Sequence, residues 1–147
     1  MLEQTEKLGS VPRWFQLAAG LGILWNLIGV GSYLAQVTMS AEAIAALPEA
    51  QRAMIDATPA WLTGVYAMAV FTGLAGAVLL LLRRKLAGPI LAASLGLILV
   101  QFGTSIFVLN AVAVMGAGAL VLPSFIALVA IGLLILARHA RRARWLK

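Results

Sequence analysis

The sequence predicts an all-α polytopic membrane protein, a bundle of four transmembrane helices with both termini in the cytoplasm. Three observations favour this fold class: 63% of the 147 residues are hydrophobic, only 11% are charged, and the mean hydropathy is +1.01. Soluble domains carry about 25% charged residues, and a disordered chain combines high charge with low hydrophobicity. Membrane β-barrels alternate apolar and polar residues instead of running apolar for a whole span. A helical span takes about 20 residues, so the chain has room for about four spans and no separate soluble domain.

The first apolar stretch, residues 13–37, is longer than the core of a signal peptide and predicts an uncleaved first span. Residues 38–58 predict an external helical hairpin, in which Ser40 is a suitable N-cap and Pro48 interrupts or restarts the helix. Its acids, Glu42, Glu49 and Asp56, recur every seven residues with Arg52 between them, which is typical of a solvated helical face. A cation-binding lid is the alternative interpretation of the same face.

Three further spans follow the hairpin. They are predicted at residues 59–82, 89–110 and 120–137, and a basic tail, 138–147, follows the last. Thr58-Pro59 opens the second span with a cap and a proline, and Gly88-Pro89 turns the chain into the third. The connector between the third and fourth spans is short, uncharged and rich in small residues.

The distribution of positive charge predicts the orientation. Ten of the 11 Lys and Arg residues fall on one side of the predicted membrane, and Arg52 alone falls on the other. Because cytoplasmic loops are enriched in Lys and Arg, both termini are expected in the cytoplasm. The basic residues at the span ends are expected to contact anionic lipid headgroups; they are Arg83, Arg84, Lys85, Arg138, Arg141 and Arg142. Nucleic acid is not an expected partner, because no soluble recognition fold or interleaved aromatic pattern is present.

Four residues predict a polar level near the middle of the bundle. Asn26 and Gln101 each stand roughly 20 Å above the cytoplasmic boundary at 1.5 Å per residue, and Thr72 comes to nearly the same height. Trp25 lies beside Asn26. The first interpretation of this level is hydrogen bonding between helices, and the second is a binding site for an uncharged solute, with Trp25 as a stacking face.

A second polar group lies higher on the first and third spans. It comprises Ser32, Tyr33, Gln36, Thr104, Ser105 and Asn110. This group predicts an outward-facing vestibule, with the ordinary polarity of span ends as the alternative. Small residues also recur at helical spacing, as in Gly88, Ala92 and Gly96, and such faces let helices approach closely, within the bundle or in self-association.

The residue types that the sequence lacks disfavour several classes of function. Between their ends, the predicted spans hold no Asp, Glu, Lys, Arg or His, which disfavours proton-coupled transport and intramembrane hydrolysis. The chain has no Cys and a single His, so we expect no metal site, no cofactor and no enzymatic activity. The pattern favours an accessory or assembly subunit that acts through helix–helix contacts in a larger membrane complex. The alternative is a small permease or facilitator for an uncharged solute such as a sugar, working as an oligomer.

The chain also resembles a family of small four-span bacterial inner-membrane proteins. The resemblance rests on short motifs along nearly the whole sequence: Trp25-Asn26-Leu27-Ile28-Gly29, Leu47-Pro48-Glu49, Pro59-Ala60-Trp61, Leu81-Leu82-Arg83-Arg84-Lys85-Leu86-Ala87 and Gln101-Phe102-Gly103. Members of this family are often labelled sugar transporters. The resemblance implies a four-helix fold in the bacterial inner membrane and leaves the mechanism open.

Overall fold

The computed structural model describes residues 10–147, and in this part of the chain every regular element is helical. The helices are α1 (Arg13–Val37), α2 (Ala41–Ala45), α3 (Glu49–Ala57), α4 (Ala60–Leu81), α5 (Ala87–Gly103), α6 (Ala111–Met115) and α7 (Val121–Arg142). A π-helical turn, Thr104–Val108, prolongs α5, and a 3₁₀ turn, Ala117–Leu120, precedes α7. Four helices, α1, α4, α5 with its π turn, and α7 with its 3₁₀ turn, are long and apolar enough to span a membrane. The predicted all-α, four-span fold class is therefore confirmed.

The helix bounds follow the predicted spans with local differences. α1 has the bounds of the predicted first span. α5 begins at Ala87, because Pro89 sits in its first turn, where a missing N–H costs no helical hydrogen bond. α7 continues to Arg142, so half of the predicted basic tail is helix. The predicted hairpin holds α2 and α3, and the Ser40 hydroxyl caps α2 by accepting the Ala43 N–H at 3.2 Å.

The spanning helices pack in the order α1, α4, α5, α7. α4 packs most closely along α5 and α1, and α5 packs on α7, whereas α1 and α7 meet at few points. Small residues permit the close contacts: a Cβ added at Gly76 of α4 would lie 2.7 Å from Leu91 of α5. One edge of the bundle, between α1 and α7, is consequently the least tightly closed.

The two ends of the bundle differ in what they carry. We call the end with Arg13, Arg83 and Arg142 the basic end, and the opposite end, with α2, α3 and α6, the hairpin end. α3 packs against α6 at the hairpin end. Glu42, Glu49 and Asp56 are all exposed there, as a solvated face requires.

Residues 143–147 fold back over the basic end. Arg83 and Arg144 adopt left-handed backbone conformations, with φ of 61° and 57°, directly after the last turns of α4 and α7. The Trp145 N–H then donates to Ala140 O at 2.9 Å, and the Arg84 N–H donates to Leu79 O at 2.8 Å, which is the Schellman ending of a helix. The Lys147 N–H donates to Arg83 O at 2.6 Å, so the two chain reversals are joined.

The core of the basic end is apolar and well filled. Phe15 and Leu80 are fully buried and Leu146 nearly so, in a cluster with small residues of α5 and α7. Trp145 lies edge-on to Phe15 with ring centroids 5.4 Å apart. This half of the bundle is therefore closed by side chains.

Candidate functional site

The hairpin half of the bundle encloses a cavity of about 170 Å³ between all four spanning helices. Its wall is mainly aliphatic and aromatic, and it ends toward the basic end at Leu91 and Leu133. No charged side chain is among the described residues that line it. Because an unpaired charge is costly to bury, the cavity suits an uncharged occupant.

Just above Leu91 and Leu133, in a layer that we call the floor of the cavity, three helices meet at polar groups. The Ser94 hydroxyl of α5, only 3% exposed, donates to the Ala69 carbonyl of α4 at 2.9 Å. Asn26 of α1 donates its Nδ2–H to Gly22 O at 2.8 Å and sets its Oδ1 against Gly73 of α4. Gly73 is the point of closest approach, since a Cβ there would collide with Asn26 Oδ1 and lie 3.0 Å from Ser94 Oγ. These groups join α1, α4 and α5.

Gln101 of α5 lies two helical turns beyond Ser94 and also lines the cavity. Its Oε1 is buried and has no hydrogen-bond partner. Leaving such an acceptor unpaired costs about 1–3 kcal/mol. Trp25, Tyr66 and Phe102 contribute aromatic walls, so the cavity combines a mainly apolar surface with a few polar side chains.

Three of the four residues predicted to form the polar level line the cavity. They are Trp25, Asn26 and Gln101. Thr72 is not in the lining, and its hydroxyl donates to Met68 O of its own helix at 2.6 Å. Its neighbour Gly73 takes the place that was expected for Thr72.

Sequence reasoning missed Ser94. The signal was present, because Ser94, Ile98 and Gln101 follow the i, i+4, i+7 spacing of one helical face. Tyr66 was also missed; it lines the cavity from α4 and lies edge-on to Tyr33, with ring centroids 5.3 Å apart.

The six residues predicted to form a vestibule do not share one wall. Only Ser32 lines the cavity, whereas Tyr33 packs against Tyr66 and Phe71 of α4. Gln36 is exposed, Asn110 has a left-handed backbone with φ of 51°, and Thr104 and Ser105 belong to the π turn. The prediction placed residues of α1 and α5 together, but α4 packs between these two helices.

The cavity opens between α1 and α7. Ile28 of α1 and Leu122 of α7 both line it, yet they are 63% and 62% exposed. Below this opening, Trp25 and Phe125 touch edge to face across the same gap, with centroids 5.2 Å apart. The lining therefore includes side chains on the surface of the bundle, and Leu122 is in the first turn of α7, at the hairpin end.

The six basic residues that were predicted to contact lipid headgroups divide into two groups. Arg84, Lys85, Arg138, Arg141 and Arg142 are exposed around the basic end. Arg83 is part-buried and donates its Nε–H to Trp145 O at 2.7 Å, with its Nη2 buried and unpartnered. Arg83 therefore holds residues 143–147 in place, while the other five remain accessible to headgroups.

Comparison of the chain with protein-family models, with curated proteins and with solved structures gives no match. The resemblance to small four-span bacterial proteins stays a prediction that rests on the sequence motifs.

Proposed function

We propose that this chain is a non-enzymatic membrane protein that binds an uncharged molecule in the cavity between α1, α4, α5 and α7. The observation that carries the proposal is a cavity of about 170 Å³ that all four spanning helices line with mainly apolar side chains and without charge. As a facilitator the chain would need a second copy or a conformational change, because the basic half is filled by side chains. The resemblance to small four-span bacterial proteins supports a location in the bacterial inner membrane, and the excess of Lys and Arg supports a cytoplasmic basic end.

Filling the cavity is expected to abolish binding of an apolar probe. Ala130 lines the cavity from α7, so Ala130→Phe places a ring in the space. Iodobenzene serves as the probe, because a cavity of about 150 Å³ accepts benzene and because the heavy atom quenches tryptophan fluorescence on contact. We expect saturable quenching in the parent chain, no saturable quenching in Trp25→Phe, and loss of the saturable phase in Ala130→Phe.

A matched control separates cavity filling from general damage to the bundle. Ala75 of α4 is exposed and lies outside the lining, so Ala75→Phe adds the same ring on the lipid-facing surface. It is expected to keep the quenching of the parent chain. Quenching that is not saturable in the parent, or that survives in Ala130→Phe, contradicts the proposal.

A second candidate function, an accessory subunit in a larger membrane complex, is favoured by the outer face of α5. Gly88, Ala92 and Gly96 lie one above the other there, and a Cβ added at Gly88 or Gly96 would meet nothing within 4 Å. Such a face permits close approach of a helix from a partner or a second copy.

Gly96→Leu is expected to remove any assembly that uses this face. The measurement is cross-linked mass in native membranes, which should fall toward the monomer in Gly96→Leu. Gly64→Leu is the matched control on α4, where an added Cβ also meets nothing within 4 Å, and it should retain the assembly. A parent chain that remains a monomer throughout contradicts this second candidate.

A further inference from the structure

Three polar atoms of the residues that line the cavity are available to a molecule inside it. They are Asn26 Oδ1, Tyr66 Oη and Gln101 Nε2, and none of them has a hydrogen-bond partner within residues 10–147. Each remains accessible to a water-sized molecule, whereas Gln101 Oε1 is completely covered by protein. Because polar groups inside proteins nearly always have a hydrogen-bond partner, these three atoms determine which groups an occupant should carry.

The three atoms belong to two levels of the bundle. Asn26 Oδ1 lies at the floor, beside Gly73 of α4 and Ser94 of α5. Tyr66 is seven residues from Gly73, and Gln101 is seven residues from Ser94, in both cases toward the hairpin end. At 1.5 Å per residue, this second level is about 10 Å from the floor, and we call it the upper level. The floor therefore offers an acceptor, and the upper level offers a hydroxyl and an amide N–H on two helices that pack together.

The wall between the floor and the upper level is apolar. Gly29, Val70 and Ile98 line the cavity about half-way between the two levels, and none of them has a polar side chain. The volume of about 170 Å³ is close to the roughly 150 Å³ of a cavity that binds benzene, so one six-membered ring fills it. A sugar carries a hydroxyl on nearly every ring carbon, and those half-way up the cavity would have no partner. The wall therefore favours a ring with polar groups only at its two ends.

The chemistry of each free atom decides which polar group belongs at which end. Asn26 Oδ1 can only accept, so the occupant needs an O–H or N–H group at the floor. Gln101 Nε2 can only donate and Tyr66 Oη–H can donate as well, so a carbonyl oxygen, which has two lone pairs, can accept from both. A single polar atom does not bond at two levels about 10 Å apart, so two groups are needed. Both groups are uncharged, because no described lining residue would balance a charge.

From the cavity and its two polar levels, we propose that the ligand is an uncharged, ring-sized molecule with a hydrogen-bond acceptor at one end and a donor at the other. The acceptor, such as a carbonyl oxygen, binds Tyr66 Oη–H and Gln101 Nε2–H. The donor, such as a hydroxyl, binds Asn26 Oδ1. This inference rests on the proposed binding function and adds the chemical class of the ligand.

Three probes of the same shape distinguish the two ends of the ligand. 4-Hydroxycyclohexanone carries a carbonyl and a hydroxyl on opposite carbons of one ring, 4-methylcyclohexanone keeps only the carbonyl, and 1-methyl-4-methylidenecyclohexane has neither. Each probe displaces iodobenzene from the full chain in lipid vesicles, and the recovery of Trp25 fluorescence gives its affinity. The affinity of one probe is compared between the parent chain and a variant, so that its partition into the membrane cancels.

Tyr66→Phe and Gln101→Leu test the acceptor end. Each is expected to weaken both ketones about fivefold and to leave 1-methyl-4-methylidenecyclohexane unchanged, because one hydrogen bond to the carbonyl is lost. Tyr66→Phe removes only a hydroxyl without a partner in the described chain, so the bundle should remain intact. Gln101→Met, which keeps an unbranched side chain, has the same expected result as Gln101→Leu if the leucine disturbs the fold. Ketone affinities that do not change in these variants overturn the inference.

Asn26→Leu tests the donor end. Leucine keeps the branched shape of asparagine but has no acceptor, so 4-hydroxycyclohexanone should weaken about fivefold while 4-methylcyclohexanone is unchanged. Equal changes for the two ketones overturn the inference. If Asn26→Leu no longer binds iodobenzene, the parent chain decides: at equal concentration in the membrane, 4-hydroxycyclohexanone should bind about fivefold more tightly than 4-methylcyclohexanone, and equal binding overturns the inference.

The iodobenzene signal separates this inference from the proposed function. Saturable iodobenzene binding without the expected changes in the ketones supports a binding cavity and overturns the assigned ligand class. If the parent chain shows no saturable iodobenzene binding, the proposed function fails, and the inference fails with it.

Discussion

Phe15→Ala is expected to lower the free energy of unfolding by about 3–5 kcal/mol, which is the largest effect that we expect from a single substitution. Phe15 is fully buried and lies against Trp145, so its removal leaves an empty space between α1 and the returning residues 143–147. In a membrane protein this loss of stability comes from lost packing contacts, because lipid tails are as apolar as the core. Reversible unfolding in mixed micelles measures the change in the free energy of unfolding.

Leu17→Ala is the control for Phe15→Ala. Leu17 lies half a turn further along α1 and is 69% exposed, so lipid contacts surround it in the folded and unfolded helix alike. Its truncation is expected to change the free energy of unfolding little. Equal effects of the two substitutions would show that residues 143–147 do not pack on α1 as described.

Gly73→Ala is expected to lower the free energy of unfolding by about 1–3 kcal/mol, although alanine is the better helix former. The new methyl group would collide with Asn26 Oδ1 and crowd Ser94 Oγ, so α1, α4 and α5 must separate locally. Reversible unfolding in mixed micelles measures this change. Saturable iodobenzene quenching is also expected to disappear, because the floor of the cavity shifts.

Gly64→Ala on the same helix provides the opposite expectation. Nothing lies within 4 Å of a Cβ there, so only the helix propensity changes, and the free energy of unfolding should rise by up to about 1 kcal/mol. If both alanines act in the same direction, the close approach at Gly73 is not what holds the three helices together.

Hydropathy predicted the helices well because a membrane span is defined by length and apolarity, and both are read directly from residues such as those of 13–37. The ends were harder to predict. The helix that begins at Val121 runs past Ala137 to Arg142, because arginine is a good helix former and charge alone does not end a helix. The return of residues 143–147 depends on left-handed backbone conformations at Arg83 and Arg144. Glycine usually adopts this conformation, so an arginine in the sequence does not predict it.

Counting 1.5 Å per residue predicted Asn26 and Gln101 at one height near the middle of the bundle. Both line the cavity, but Asn26 lies level with Ser94, and Gln101 is two helical turns further along α5. The same count cannot distinguish Thr72 from Gly73, because consecutive residues differ by only about 1.5 Å in height. They differ by about 100° around the helix axis, and this angle decides which of them faces the cavity. Ser94 shares a helical face with Gln101, but the sequence does not show that this face packs against α4, so its contact with Ala69 was not predicted.

The side chains that fill the basic half of the bundle are expected to prevent ions from crossing the protein. Phe15, Leu80 and Leu146 form a layer of carbon between the cavity and the basic end, and an ion that crossed it would lose its hydration without gaining a ligand. In a bilayer this layer acts as an insulator. A cell that accumulated the chain in its membrane is therefore expected to keep its proton gradient, even though each copy contains a cavity.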